Sequence, residues 1–253
     1  MKRILCIAIF VALTTICQAQ AVGHLAQVAI VDRDSGAVLT PRYYRGEYWV
    51  AGRPGARYSI EIRNRVGGRL LAVTSVDGVN VVSGETAAWD QTGYVFSPGE
   101  RYEITGWRKS ETDVAAFTFT AAPNSYAERT GRPANVGVIG VALFRERQPE
   151  MTYAPEARRE SGANDTATAK AAPNAPSAQA KLGTGHGERE YSYVSRTEFA
   201  RLQLEPNEVV RIHYDSLENL IAMGIVRQPK PVWPTPNPFP GSPDAQYAPD
   251  PPG

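Results

Sequence analysis

The sequence predicts an all-β fold, an antiparallel β-sandwich of Ig-like or jelly-roll-like type carried by residues 22–147. Three observations predict it. Apolar and polar residues alternate with a period of two in several short runs, the mark of half-buried strands. Turn residues punctuate those runs at Asp34-Ser35-Gly36, Arg53-Pro54-Gly55, Ser97-Pro98-Gly99 and Gly131-Arg132-Pro133. No helical pattern intervenes, so the strands must pack on each other in two layers.

The elements follow in chain order. Lys2 and Arg3 precede an apolar run from Ile4 to Ile16, and Ala19-Gln20-Ala21 closes it. A basic start, a short apolar stretch and a small-residue end predict a secretory signal over residues 1–21, cleaved after Ala21. A membrane anchor needs about 20 apolar residues, and Gln18 and Gln20 end this run too early. Both cysteines, Cys6 and Cys17, lie inside the segment, so the mature chain is expected to fold without disulfides or thiolate ligands.

Strands are expected at Gln27–Asp32 and Tyr44–Val50. In the next, Tyr58, Ile60 and Ile62 point one way while Ser59, Glu61 and Arg63 point the other. Val66-Gly67-Gly68 turns the chain into a strand from Arg69 to Val76. Asp77-Gly78 then lies before Val79-Asn80-Val81, a strong hairpin signal because a type I′ turn needs the positive φ that Asp and Gly tolerate. Further strands are predicted at Gly93–Phe96, Tyr102–Gly106, Ala115–Thr120 and Val136–Phe144, with a helical turn around Ser125–Arg129.

Residues 148–190 are poor in apolar side chains and predict a disordered linker, since such a stretch cannot offset its ordering entropy by burial. Gly183-Thr184-Gly185-His186-Gly187 falls inside it and reads as flexibility. Residues 191–226 predict a small β-β-α unit: a hairpin of Glu198–Leu204 and Glu208–Tyr214, then a helix capped by Asp215 and Glu218 and stopped by Gly224. A unit this short must dock on the sandwich or on another molecule. Ten prolines from Pro229 to Gly253 make residues 227–253 a disordered, proline-rich tail of extended type.

The run Tyr58–Arg65, then Leu71-Ala72-Val73 through Ser75-Val76-Asp77-Gly78-Val79-Asn80-Val81, resembles a group of uncharacterised exported proteins of Gram-negative bacteria. The resemblance continues at Gly93-Tyr94-Val95, Gly106-Trp107-Arg108-Lys109-Ser110, Arg129-Thr130-Gly131-Arg132-Pro133 and Asn135-Val136-Gly137-Val138-Ile139-Gly140. It implies a periplasmic or secreted location and no particular activity.

Lys plus Arg is 27 against 26 Asp plus Glu, which argues against nucleic acid as a partner, because bulk phosphate binding needs a basic excess. The three histidines, His24, His186 and His213, show no metal-ligand spacing. No G-x-S-x-G or S-x-x-K motif activates a serine, and no calcium loop occurs. No cofactor, metal or catalytic residue is therefore predicted, and no integral membrane segment after signal cleavage. The expectation is a non-enzymatic binding or structural protein acting through protein contacts, with an envelope protein or its own copy as partner. A glycan-binding module is the alternative, and a cryptic hydrolase ranks third. Candidate contact residues are Trp89-Asp90-Gln91 and Trp107-Arg108-Lys109 on the sandwich loops, where an indole beside polar groups can stack a sugar face or cap an apolar patch. Trp233 and Phe239 protrude from the proline-rich tail as further candidates.

Overall fold

In the computed structural model, residues 21–147 and 181–227 are described. The expected signal segment up to Gln20, the linker over residues 148–180 and the tail from residue 228, with Trp233 and Phe239, lie outside them. Among the described residues no helix is long and apolar enough to cross a membrane.

The strands are β1 (Ala26–Asp32), β2 (Ala37–Val38), β3 (Arg42–Tyr44), β4 (Glu47–Gly52), β5 (Arg57–Asn64), β6 (Leu70–Val76) and β7 (Val79–Asn80). They continue with β8 (Tyr94–Phe96), β9 (Arg101–Ile104), β10 (Gly106–Arg108), β11 (Asp113–Ala121), β12 (Val138–Arg145), β13 (Leu182–Tyr191) and β14 (Glu208–Ser216). Two short helices, α1 (Tyr126–Arg129) and α2 (Leu217–Ala222), complete the set. One sheet runs β10-β11-β5-β1-β2, with β13 along β11 and β9 along β5. The other runs β3-β4-β14-β12-β6-β7, with β8 also on β6. The predicted sandwich is present.

Alternation builds its core. Val28 and Ile30 of β1, Tyr58, Ile60 and Ile62 of β5, and Phe117 and Phe119 of β11 face Ala72 and Val76 of β6, Ile139, Val141 and Leu143 of β12, and Val210, Ile212 and Tyr214 of β14. Each fully buried side chain of this size contributes about 1.5–3 kcal/mol. Strand β6 is apolar on both faces. Its inner row lies in this core, while Leu71 and Val73 join Ala142 and Phe144 in a second cluster on the outside of the sheet, covered by Val95 and Phe199. The Asp77-Gly78 turn has φ of 53° and 73°, the type I′ geometry expected of it.

The carboxy-terminal third departs most from expectation. Residues 182–190, read as linker, form most of β13, antiparallel to β11 along its length. Glycine here permits close approach. A Cβ on Gly183 would meet Ser125 Cβ at 2.7 Å and Val136 Cγ1 at 2.9 Å, and one on Gly187 would meet the Ala116 carbonyl oxygen at 2.8 Å. Replacing Gly183 with Val is expected to destabilise the protein by about 1–3 kcal/mol through overpacking, read as a lower urea midpoint. An unpacked tether would show no change.

Residues 191–226 do not form a separate unit either. Strand β14 lies between β4 and β12, antiparallel to β12 but parallel to β4. The parallel pair is feasible because most of the chain separates the two strands. The partner expected over Glu198–Leu204 is absent; only a bridge between Arg201 and Glu146 forms there. Residues 192–207 instead cross the outside of the β-sheet as an extended strap. The cap of α2 is shifted by one residue: Ser216 Oγ accepts from Asn219 N at 3.2 Å, while buried Asp215 Oδ1 accepts from Ser216 N, Asn219 Nδ2 and Leu182 N. Gly224, at φ 73°, ends the helix as predicted.

Candidate functional site

A polar chain crosses the core where the two sheets meet. The buried Asp77 carboxylate accepts from Gly137 N at 2.9 Å, Thr184 N at 2.8 Å and the Tyr214 hydroxyl at 2.5 Å. The chain continues from Tyr214 to the Thr184 hydroxyl and from there to the Tyr58 hydroxyl, each at 2.6 Å. Burial pushes both phenols well above their ordinary range, with the Asp77 charge adding to the effect. These groups are enclosed and mutually satisfied, which fits a structural clasp between the turn after β6, β13 and β14.

The open site is elsewhere. A cleft of about 940 Å³ lies between β8 with its flanks, Thr92 to Ser97, and the first part of the strap, Tyr193 to Thr197. Arg69, Tyr102, Arg108 and Lys109 also line it. Arg108 fixes the geometry. It donates to the Tyr94 hydroxyl from Nε at 3.3 Å and from Nη2 at 3.1 Å, and to the Ser192 carbonyl and hydroxyl, so it ties the strap to the cleft wall. Tyr102 adds a hydroxyl contact to Ser192 at 3.0 Å, and its ring leans on Tyr94 with centroids 5.7 Å apart. Burial raises the Tyr94 phenol, while the hydrogen bond from the Arg108 guanidinium pulls it back. Further along, Phe199 covers the outer apolar cluster, and Arg201 stacks 4.4 Å from the Phe144 ring. Arg201 also donates to the carbonyls of Trp89 and Gln91, at 2.8 and 2.7 Å.

The predicted contact residues separate. Trp89 and Asp90 are exposed, Trp89 by 52%. Gln91 is committed within its own loop: its side chain accepts from Asn80 Nδ2 and Ala88 N and donates to the Thr86 carbonyl. Arg108 and Lys109 line the cleft. Trp107 does not reach solvent. It is 2% exposed, edge-on to Phe117 at 5.2 Å and against Tyr126 at 5.0 Å, because β10 alternates and turns this ring into the core. The expectation of a Trp107 ligand contact is therefore corrected. Replacing Trp107 with Ala is expected to cost about 3–4 kcal/mol in urea unfolding. Replacing Trp89 with Ala should stay within about 0.5 kcal/mol, as for an exposed side chain.

The histidines do not converge. His24 is exposed ahead of β1, His186 is exposed on β13, and His213 is half-buried on β14, stacked on Trp49 at 4.6 Å. Among the described residues no group of three or more His, Cys, Asp or Glu side chains gathers as for a metal. The sequence reading missed Tyr94, Tyr102, Tyr193, Arg69 and Arg196 as cleft residues. Only the aromatic alternation of Tyr191-Ser192-Tyr193 beside the glycine run hinted at them, since the cleft joins segments about a hundred residues apart.

Comparison of the chain with protein-family models, curated proteins and solved structures found no match. The fold and the cleft therefore define it: a two-sheet sandwich whose strap and sheet edge frame an open groove.

Proposed function

We propose that the protein is an exported binding protein of the bacterial envelope that acts through protein contacts at the strap cleft. The observation that carries this reading is the cleft itself. It offers tyrosine faces at Tyr94, Tyr102 and Tyr193, with Tyr193 61% exposed, beside fixed hydrogen-bonding groups. Tyrosine beside arginine is the composition that anchors protein interfaces, because tyrosine supplies large area at low entropy cost and arginine a planar set of hydrogen-bond donors. The basic start, apolar run and small-residue end of residues 1–21 support export.

A photoreactive amino acid in place of Tyr193, in cells producing the full chain, is expected to give a cross-linked species of defined mass. The same group in place of Leu217 on α2 serves as the control. Labelling at neither position, or equally at both, counts against the cleft as the contact site. A carbohydrate-binding reading is favoured by one observation, the exposed Trp89 ring on the loop that Arg201 ties to the strap. It predicts a tryptophan fluorescence shift on titration with envelope polysaccharide, which Trp89→Ala abolishes. It no longer includes Trp107.

A further inference from the structure

We propose that the cleft receives an extended, acid-bearing segment of a partner protein, which adds as a strand beside β8 and sets a carboxylate against Arg108 and Lys109. The inference rests on the reading of the cleft as a protein-contact site and names what enters it.

Both long walls are consecutive residues, Thr92 to Ser97 on one side and Tyr193 to Thr197 on the other. A cavity over the face of a strand is lined by alternate residues, because successive side chains point to opposite faces. Walls of consecutive residues mean that backbone edges border the space. Strand β8 pairs only with β6 among the described residues, at Leu70–Phe96, Leu71–Val95 and Ala72–Tyr94. An antiparallel edge strand directs every second residue's N–H and C=O away from its neighbour. Asn80 Nδ2 already donates to the Thr92 carbonyl and Asn64 Nδ2 to the Phe96 and Ser97 carbonyls, which leaves the middle of β8, around Tyr94, to receive a further chain. A third extended chain is the object that satisfies such an edge.

The charges select its side chains. Arg69 is neutralised by Glu146 and Arg196 by Glu111. Glu100, the other acid on the wall, turns its carboxylate onto Ser97 N at 2.6 Å. Arg108 spends its donors on neutral oxygens, and Lys109 lies over the Tyr126 ring at 5.6 Å. Among the described residues neither forms an ion pair, so against the single unpaired carboxylate of Glu100 the groove keeps an excess of positive charge beside the strand edge. A carboxylate entering there is attracted by both charges, and it gains charge-assisted bonds by drawing Lys109 off the Tyr126 ring and by replacing neutral acceptors of Arg108.

The test uses the mature chain and three blocked octapeptides: alternating Val and Glu, alternating Val and Lys, and the Val-Glu peptide N-methylated at alternate amides. Calorimetry and amide chemical shifts are the readouts. The Val-Glu peptide is expected to bind and to shift the amides of residues 92–97, with about tenfold weaker binding after N-methylation, after Glu-to-Lys exchange, or in the protein variant Lys109→Glu. Equal binding of the N-methylated peptide overturns strand addition, and equal binding of the lysine peptide overturns the carboxylate assignment. If no peptide binds while the Tyr193 cross-link still forms, this inference fails and the contact reading stands. Polysaccharide binding at residues 92–97 with inert peptides overturns both.

Discussion

A fragment ending at Arg147 is expected to show no cooperative unfolding transition, although it holds every strand from β1 to β12. Without β14, the β3–β4 hairpin loses the one strand that, among the described residues, joins it to β12. An isolated hairpin is marginal in water. The core also loses Val210, Ile212 and Tyr214 from its centre and Leu182 from its edge. Near-ultraviolet circular dichroism and urea titration of residues 22–147 should give a flat, unstructured response. Addition of a synthetic peptide of residues 181–227 should restore a transition. A fragment that melts cooperatively by itself overturns the integrated sandwich and reinstates a self-sufficient first domain.

Asp77→Ala is expected to cost about 5 kcal/mol, measured by urea unfolding. Three donors, Gly137 N, Thr184 N and the Tyr214 hydroxyl, lose their acceptor inside the protein. Unpaired buried groups cost about 1–3 kcal/mol each, and alanine is also strained at a φ of 53°. Asp77→Asn keeps the turn but sets an amide N–H against a donor, so it should cost about half as much.

The same pair gives a pH signature. Burial holds the Asp77 carboxyl above its ordinary range, while the bonds from Tyr214, Thr184 and Gly137 and the Lys181 charge pull it back. The folded chain therefore binds this proton more tightly than the unfolded one. Its contribution is greatest in acid and falls as pH rises from about 4 toward the folded pKa. The stability gap between the native protein and Asp77→Asn should narrow over that interval. Asp34 and Asp113 work in the opposite sense. Hydrogen bonds from Arg57 to Asp34, and from the Ser110 and Thr112 hydroxyls to Asp113, hold their carboxyls low, so their stabilisation is lost as pH falls below about 4. A gap that widens with pH would contradict the burial of Asp77.

What the sequence disclosed follows from which signals are local. Strands β1 and β5 were legible because each carries its own alternation, β6 and β12 because each is a short apolar run bounded by turn residues, and Asp77-Gly78 because two adjacent residues specify a type I′ turn. The β3–β4 hairpin was read as one strand, since its turn uses Arg45 at φ 50° before Gly46, and arginine carries no turn signal. Strand β13 was invisible. Its glycines have no side chain to alternate, and the surfaces they press against, Ser125, Val136 and Ala116, are remote in sequence. At the site, Arg108 and Lys109 were legible beside Trp107, but the ring that drew notice is the one the pleat turns inward. Tyr193 was not, because its role depends on a strap whose course is set by Arg108 and Phe199.

Strand β13 borders its sheet, and bordering strands are where chains of different molecules zip together. Here the outward amides of Leu182 and Thr184 are already occupied by Asp215 and Asp77, acids that belong to the opposite sheet. An intruding molecule would have to evict two sequestered carboxylates before it could template fibril growth at this margin. Loss of either acid should therefore appear in concentrated samples as clumping and thioflavin-positive deposits, even at temperatures where most molecules remain native.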